Sequence, residues 1–323
     1  MRDIAAKLGL SAMTVSCALN GRGRVAEETS KRVWAAAKEM GFRKDLVASS
    51  NANRRAKSPE HLTIAFNARG RIEDATDAIH LYRDIYFALL DRLGRAGHEL
   101  VLTDDREPRF ASVLAMADAI VELDRVPASS LAVSAAPRIC AFFEEPGRVS
   151  VMPDNEAAGR LAAELLVRDL GCRRLAVNWD GDTADQRARL DAFIRHCRAL
   201  APDAAVETLI SSPEALAAAL GRPADSRPEA LFVLFGCGML AAHKAATKLG
   251  LAVPDDISIL GFDDFPVYDW LPYKASRLYY KPEEIADAIA DAARGIGEGK
   301  SPIKLITPTY YKAGDSLAPA HAG

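Results

Sequence analysis

From Leu62 onward the chain repeats one pattern: a short apolar strand, a loop and an amphipathic helix. LTIAF opens it. A helix is expected over about residues 78–96, with Ile85, Leu89 and Leu93 on one side and Gly97 at its stop. HELVLT reads as a strand, residues 110–116 as a helix, and AIVEL, SLAVS and RICAFF as short strands. VSVMP leads to Asp154, an N-cap for a helix over 156–170 that Gly171 ends. The alternation continues through RRLAVNW, helix 186–200, AVETLI, helix 213–220, ALFVLF, helix 239–249 and ISILGF. KPEEIADAIADAARGI supplies the last helix. Such a chain predicts an α/β fold of open parallel sheets with helices on both faces, and 323 residues favour two such lobes.

The first forty residues follow a different rule. Ile4, Ala5 and Leu8 make one apolar face of a short helix, and Gly9 can take the left-handed conformation that stops it. Ser11 is an N-cap for a second helix over 12–19, with Val15 and Leu19 on its buried side. Any small helical hairpin could read this way. RVAEETSKRVWAAAKEMGF adds a third helix with Val33, Ala37 and Met40 on one stripe, acidic residues Glu27 and Glu28 at its start and Gly41 at its stop. Together the three point to a helix-turn-helix, whose second helix enters the DNA major groove.

Charge agrees with that division. Residues 1–58 carry twelve Lys/Arg and five Asp/Glu, a net of +7, while the whole chain is −3, leaving −10 for the rest. A basic headpiece on an acidic body suggests a polyanion partner for the headpiece.

Several function classes fall away. No run of about eighteen apolar residues occurs, so no membrane partner is expected. The first twenty residues are amphipathic rather than a signal sequence, and the five cysteines are odd in number and scattered, so a cytoplasmic protein is expected. The motifs G-x-S-x-G, H-E-x-x-H and G-x-x-x-x-G-K-[ST] are absent and the six histidines are dispersed, so neither catalysis, cofactor nor metal is expected. Asp180 and Asp182 could flank a metal, but a DGD after a strand also suits a turn. One pattern imitates a dinucleotide fingerprint: ALFVLF, then Gly236, Gly238 and Ala241, then Asp263 after the next strand. It sustains an alternative, a ligand-binding or NAD-type enzyme module with a headpiece that no longer binds DNA specifically.

DIAAKLGLSAMTVSCALN, the following V-x-x-x-T and RVWAAAKEMGF resemble the headpiece of the lactose/galactose repressor family. VSVMPDNEAAGRLAAELLVRDLGCRRLAV, RLDAF at 189–193 and VPDDISILGFDDFP at 253–266 are similar to that family's effector domain. The resemblance implies a headpiece at 1–44, a hinge at 45–60 and a periplasmic-binding-protein-like domain at 61–323. The lobes of that domain would run over about 61–147 with 278–302, and about 148–277 with 303–315. It implies a homodimeric transcription regulator, a repressor by family habit. The dimer would bind a near-palindromic double-stranded operator, and a small-molecule effector, a sugar or sugar derivative, would be held between the lobes.

Carried over residue by residue, Ala12 and Met13 begin the recognition helix. Thr14, Ser16, Asn20, Arg24 and Thr29 fall where the family contacts phosphates and nearby base edges. Cys17 stands in place of an arginine suited to guanine, a contact worth roughly 1–3 kcal/mol of discrimination. The hinge departs too, with Lys44, Asp45, Ser49 and Asn51 replacing the family's proline, asparagine, arginine and wedge leucine. In the cleft, Arg189 and Asp263 match the pair that holds sugar hydroxyls, though either also suits an inter-helix salt bridge. Trp179 could stack on a sugar face or pack in the core. Cys237 replaces a carboxylate anchor, and PYKASRLYYKP replaces the family's P-x-L-T-T segment.

Overall fold

A computed structural model describes residues 2–20, 25–39, 61–68, 78–123, 125, 134, 136–181, 184–297 and 304–320. The chain divides into two compact units, Met1–Ala56 and Lys57–Gly323.

In the smaller unit, α1 (Arg2–Leu8), α2 (Ala12–Asn20) and α3 (Glu27–Glu39) pack around Ile4, Ala5, Val15, Ala18, Val33 and Ala36, all buried. Gly9 adopts φ 63° and ends α1, a conformation that costs glycine nothing. Ser11 caps α2, its Oγ accepting from Thr14 N at 3.0 Å. In α3 Val33 and Ala36 are buried; the side chain of Ala37, and Met40, Gly41 and the whole expected hinge, lie outside the described residues.

The larger unit holds two six-stranded sheets. The first contains β1 (Thr63–Asn67), β2 (Glu99–Thr103), β3 (Ala119–Glu122), β4 (Arg138–Ala141), β5 (Val149–Pro153) and β11 (Lys304–Thr307), in the order β11-β5-β4-β3-β1-β2. The second contains β6 (Arg174–Trp179), β7 (Ala205–Ile210), β8 (Ala230–Val233), β9 (Ser258–Phe262), β10 (Ser276–Tyr279) and β12 (Tyr310–Lys312), in the order β12-β10-β9-β8-β6-β7. The central strands are buried along their whole length, as parallel strands covered on both faces must be. Helices α4 (Ala78–Arg95), α5 (Phe110–Met116) and α10 (Pro282–Gly297) pack with the first sheet. In the second lobe, α6 (Asn155–Ala163) runs on into a π-helical turn, Glu164–Asp169, and packs on α7 (Ala184–Leu200); α8 (Pro213–Leu220) and α9 (Gly236–Lys248) pack with the second sheet. A Cβ on Gly159 of α6 would lie 2.8 Å from the Arg189 carbonyl oxygen of α7, so glycine is what lets these two helices approach.

Four expectations shift. VSVMP, expected to open the second lobe, is β5 of the first sheet, hydrogen-bonded between β4 and β11. Residues 304–307 likewise belong to the first sheet and only 310–312 to the second. The local sequence of an apolar parallel strand is the same in either sheet, so pairing decides. Helix α9 starts at Gly236, three residues before the expected start at Met239. Of SLAVS, residues 130–133 lie outside the described residues; Ser134 is outside any strand and donates its hydroxyl to Leu114 O at 3.0 Å.

The chain crosses between the lobes three times: after β5 at Asp154, after β10 at Tyr280, and through Pro308–Thr309 between β11 and β12. Each crossing leaves a strand's carboxyl end, so the carboxyl ends of both sheets face the seam. The last crossing is two residues long. A chain leaving β11 at the seam therefore enters the second sheet at its carboxyl end and must run backwards, which makes β12 antiparallel to β10 while all other pairs are parallel. Asp154 N donates to Thr307 O at 2.9 Å and the Thr309 hydroxyl to Asp154 O at 3.0 Å, tying two of the crossings together.

Candidate functional site

The helix-turn-helix surface is built from the start of α2. Burial of Val15 and Ala18 against α1 and α3 leaves Ala12 exposed and Met13 77% exposed. The Thr14 hydroxyl lies 2.8 Å from Ser11 Oγ, so it is engaged with the cap in this structure. Cys17 and Thr29 are half-buried, on α2 and α3. Ser16 and Asn20 lie on α2, with side chains outside the description, and Arg24 lies outside the described residues.

At the seam, Arg189 sits in α7 and is only 1% exposed despite its charge. Four of its N–H groups are engaged within the protein: Nε and Nη2 donate to Asn155 Oδ1 at 3.2 and 3.0 Å, Nη1 to Leu234 O at 2.6 Å, and Nη2 to Asp185 at 3.4 Å. Its Cζ lies 3.3 Å from the Phe262 ring centroid, a cation–π seat. Arg189 thus ties the start of α6 to the end of β8 and to its own helix.

Asp263 follows β9 with φ 69°, an uncommon conformation for a residue with a side chain. The Tyr280 phenol feels the charges of both Asp263 and Arg189. Burial first, and then the charge of Asp263, push that phenol well above its usual range, with Arg189 opposing and Asp185 and Tyr82 adding. Asp263 and Arg189 therefore share the Tyr280 neighbourhood. The neighbouring Asp264 has a different task. Burial alone would raise its carboxyl, but hydrogen bonds from Arg277 (Nε at 2.7 Å) and Lys312 (Nζ at 3.1 Å) outweigh this and hold it low. It links β9, β10 and β12.

Trp179, the last residue of β6, is 7% exposed and lies with the buried side chains of the core; Arg187 covers its ring at 4.2 Å. Asp180 is tied to Gln186, whose Nε2 donates to its carboxylate at 2.8 Å, a turn arrangement; Asp182 lies outside the described residues. Among the described residues no cluster of His, Cys, Asp and Glu could hold a metal, and no helix is long and apolar enough to cross a membrane.

The glycine fingerprint has a packing cause. A Cβ on Gly236 would collide with the Phe265 ring, and one on Gly238 with Val233 and Phe235. The Tyr268 hydroxyl, donating its hydrogen, lies within bonding distance of both Phe262 O (2.7 Å) and Gly236 O (3.0 Å). The approach a pyrophosphate would need at the start of α9 is filled by Phe265, which removes the dinucleotide reading.

Sequence reasoning missed most of the site's lining. Asn155 was legible within P-D-N-E-A-A-G as the residue after the cap, but its bond to Arg189 spans 34 positions. Four aromatic rings were missed altogether. Tyr82 (α4) and Phe142 (after β4) have centroids 5.6 Å apart, Phe142 and Tyr280 5.9 Å, and Tyr280 and Phe262 5.6 Å. In the first sheet, Glu122, the last residue of β3, is fully buried and paired with Arg138, which also reaches Glu145. Burial pushes the Glu122 carboxyl up despite that pairing, and pushes the nearby Cys140 thiol up to about 12.

Comparison with known proteins agrees with both units. Residues 1–45 match the model for bacterial regulatory proteins of the lacI family, and residues 165–317 that for a periplasmic binding protein-like domain. The chain is 28% identical over 294 residues to the HTH-type transcriptional regulator AscG of Escherichia coli strain K12, covering 83% of this chain and 82% of that one. Its fold is similar to a lac repressor dimer bound to operator and the anti-inducer ONPF, with a TM-score of 0.68, 20% identity and 98% of each chain covered. It is also similar to the complex of the regulator CelR with cellobiose, with a TM-score of 0.64, 21% identity and 97% and 98% of the two chains covered. By these matches the chain carries a helix-turn-helix domain of the lacI family at residues 1–45 and a periplasmic-binding-protein-like domain over residues 165–317.

Proposed function

We propose that this protein acts as a homodimeric repressor, binding a near-palindromic operator through residues 1–42 and answering to a small polar effector, a sugar or sugar derivative, between its lobes. The observation that carries this is the start of α2, where a capped helix presents Ala12 and Met13 to solvent above a three-helix core. Apolar side chains there suit thymine methyl groups, and the helix N-terminus with its hydroxyls suits phosphates. We assign headpiece, linker and effector domain to residues 1–44, 45–60 and 61–323. The effector acts by linkage: binding one relative angle of the lobes better than another shifts the population that fits the operator. The role is binding rather than catalysis, and it belongs in the cytoplasm with the DNA. Asp263 is the carboxylate we assign to the effector, accepting from its hydroxyls; Arg189 shapes the pocket floor.

Fluorescence anisotropy of the full chain on the DNA upstream of its own gene, over a salt series, tests this. Sequence-selective binding that weakens steeply with salt is expected. Equal affinity for random duplex would overturn the operator reading. Asp263→Ala is expected to abolish effector response while leaving operator affinity unchanged, and a retained response would remove Asp263 from the site.

A further inference from the structure

The side chains of α2 restrict what its operator can display, on the premise that residues 1–42 bind DNA. The helix reads AMTVSCALN. It holds no Lys, Arg, Gln, Asp or Glu, and its one amide, Asn20, is its last residue. Its first two turns therefore lack both the donor fork that grips guanine O6 and N7 and the amide that pairs with adenine. The Thr14 hydroxyl lies 2.8 Å from Ser11 Oγ and is taken up by the cap. Cys17 is half-buried and offers a thiol, a weak donor that behaves as a small apolar group. Val15 and Ala18 are buried in the three-helix core.

Met13 escapes that core. At 77% exposure it is, among the described residues of Met1–Ala56, the one large apolar side chain left in solvent, and Ala12 beside it is exposed too. A single exposed apolar residue is ordinary on a surface. Its place gives this one meaning. It stands in the opening turn of the second helix, within a stretch, residues 1–58, that carries twelve Lys/Arg against five Asp/Glu. That charge draws the unit to phosphates whatever the sequence. What is left for the bases is a thioether and an alanine methyl. The apolar group that a base pair displays in the major groove is the C5-methyl of a pyrimidine. An unbranched, polarizable thioether fits itself to such a group without a fixed donor geometry.

We propose that Met13, with Ala12, reads pyrimidine C5-methyl groups, so that the half-site under α2 is recognised by its pattern of major-groove methyls rather than by a guanine. Thymine supplies that methyl in an A·T pair, and 5-methylcytosine supplies the same group in a modified G·C pair. Each methyl removed from water against the thioether strengthens binding about fourfold. No charge takes part, so that factor is independent of salt, unlike the phosphate contacts.

The test begins with duplexes selected from a random-sequence library by the full chain. The tightest is titrated by fluorescence anisotropy with each thymine in turn replaced by deoxyuridine and each cytosine by 5-methylcytosine. A loss of about fourfold at a thymine names thymine as the source, and a gain of about fourfold at a cytosine names 5-methylcytosine. Either ratio is expected to be the same at about 50 and 200 mM salt while overall affinity falls steeply. Met13 lies outside the buried core, so its substitution leaves the unit folded. Met13→Ala is expected to bring the ratio to about one, and Met13→Leu, which keeps a large apolar side chain, to retain it. The inference is overturned if neither deoxyuridine nor 5-methylcytosine changes affinity at any position, or if Met13→Ala discriminates as well as the unsubstituted chain. Either result with selective binding intact leaves the regulator reading standing. If selection yields no duplex bound better than random DNA, the regulator reading falls and this inference falls with it.

Discussion

The two sheets of the larger unit share a strand order, yet their seam-facing ends are finished differently. The second sheet fixes its charges with its own backbone and neighbours. Arg189 is held by Asn155, Leu234 O and Asp185, Asp264 by Arg277 and Lys312, and Tyr268 by two carbonyls. The first sheet brings rings to the seam, through Tyr82 and Phe142, and pairs its fully buried Glu122, the last residue of β3, with Arg138. The difference teaches a division of labour. At the seam the second lobe is held in a frame of hydrogen-bonded polar side chains, and the first contributes the packed rings of Tyr82 and Phe142.

The largest test of that contrast is Arg189→Met. If Arg189 is a frame element, its loss takes the donors from buried Asn155, from Leu234 O and from half-buried Asp185, and lowers stability by about 3–5 kcal/mol in urea unfolding. A loss under about 1 kcal/mol would mean the frame does not depend on it. Next is Gly236→Ala, which pushes Phe265 off the start of α9 and should cost about 1–3 kcal/mol by overpacking, with operator binding retained wherever the protein is folded. A neutral result would show that the frame is looser than its packing implies.

The smallest effect concerns pH and has opposite sign in the two lobes. Asp264 is held low when folded, so its contribution is present above the usual carboxylate range and is lost as pH falls through its folded value. Glu122 is held high, so its contribution is present in acid and lost as pH rises through its folded value. Asp264→Asn should therefore cost more at about pH 7 than at about pH 3, and Glu122→Gln less at about pH 7 than at about pH 3. Equal costs at both values for either variant would erase the contrast.

Local signals made much of this readable in advance. Ser11 and Asp154 cap their helices as expected, each accepting from the N–H three residues on. Gly9, Gly97 and Gly171 take positive φ where a helix had to stop. The fold class followed from apolar strands alternating with amphipathic helices. What stayed hidden depends on distant pairing. Nothing in VSVMP says which sheet it joins, and nothing in R-L-D-A-F says whether Arg189 points to a ligand or to Asn155 and Leu234. Gly236 and Gly238 misled because glycine records only that something comes close; here it is Phe265 and Phe235 rather than a phosphate. Phe142 and Tyr280 gave no signal because an aromatic residue at a strand end is ordinary core sequence until its neighbours across the seam are known.

The three crossings have a mechanical consequence. Two bodies joined by one tether can translate and tumble; joined at three nearby points by links as short as Pro308–Thr309, they keep little beyond rotation about an axis through those points. A ligand held between the lobes, as proposed above, would act on that one rotation. A change in cleft chemistry resets which molecule turns that coordinate without redesigning what the rotation does, so new specificities can arise by substitution at the seam while the output stays intact.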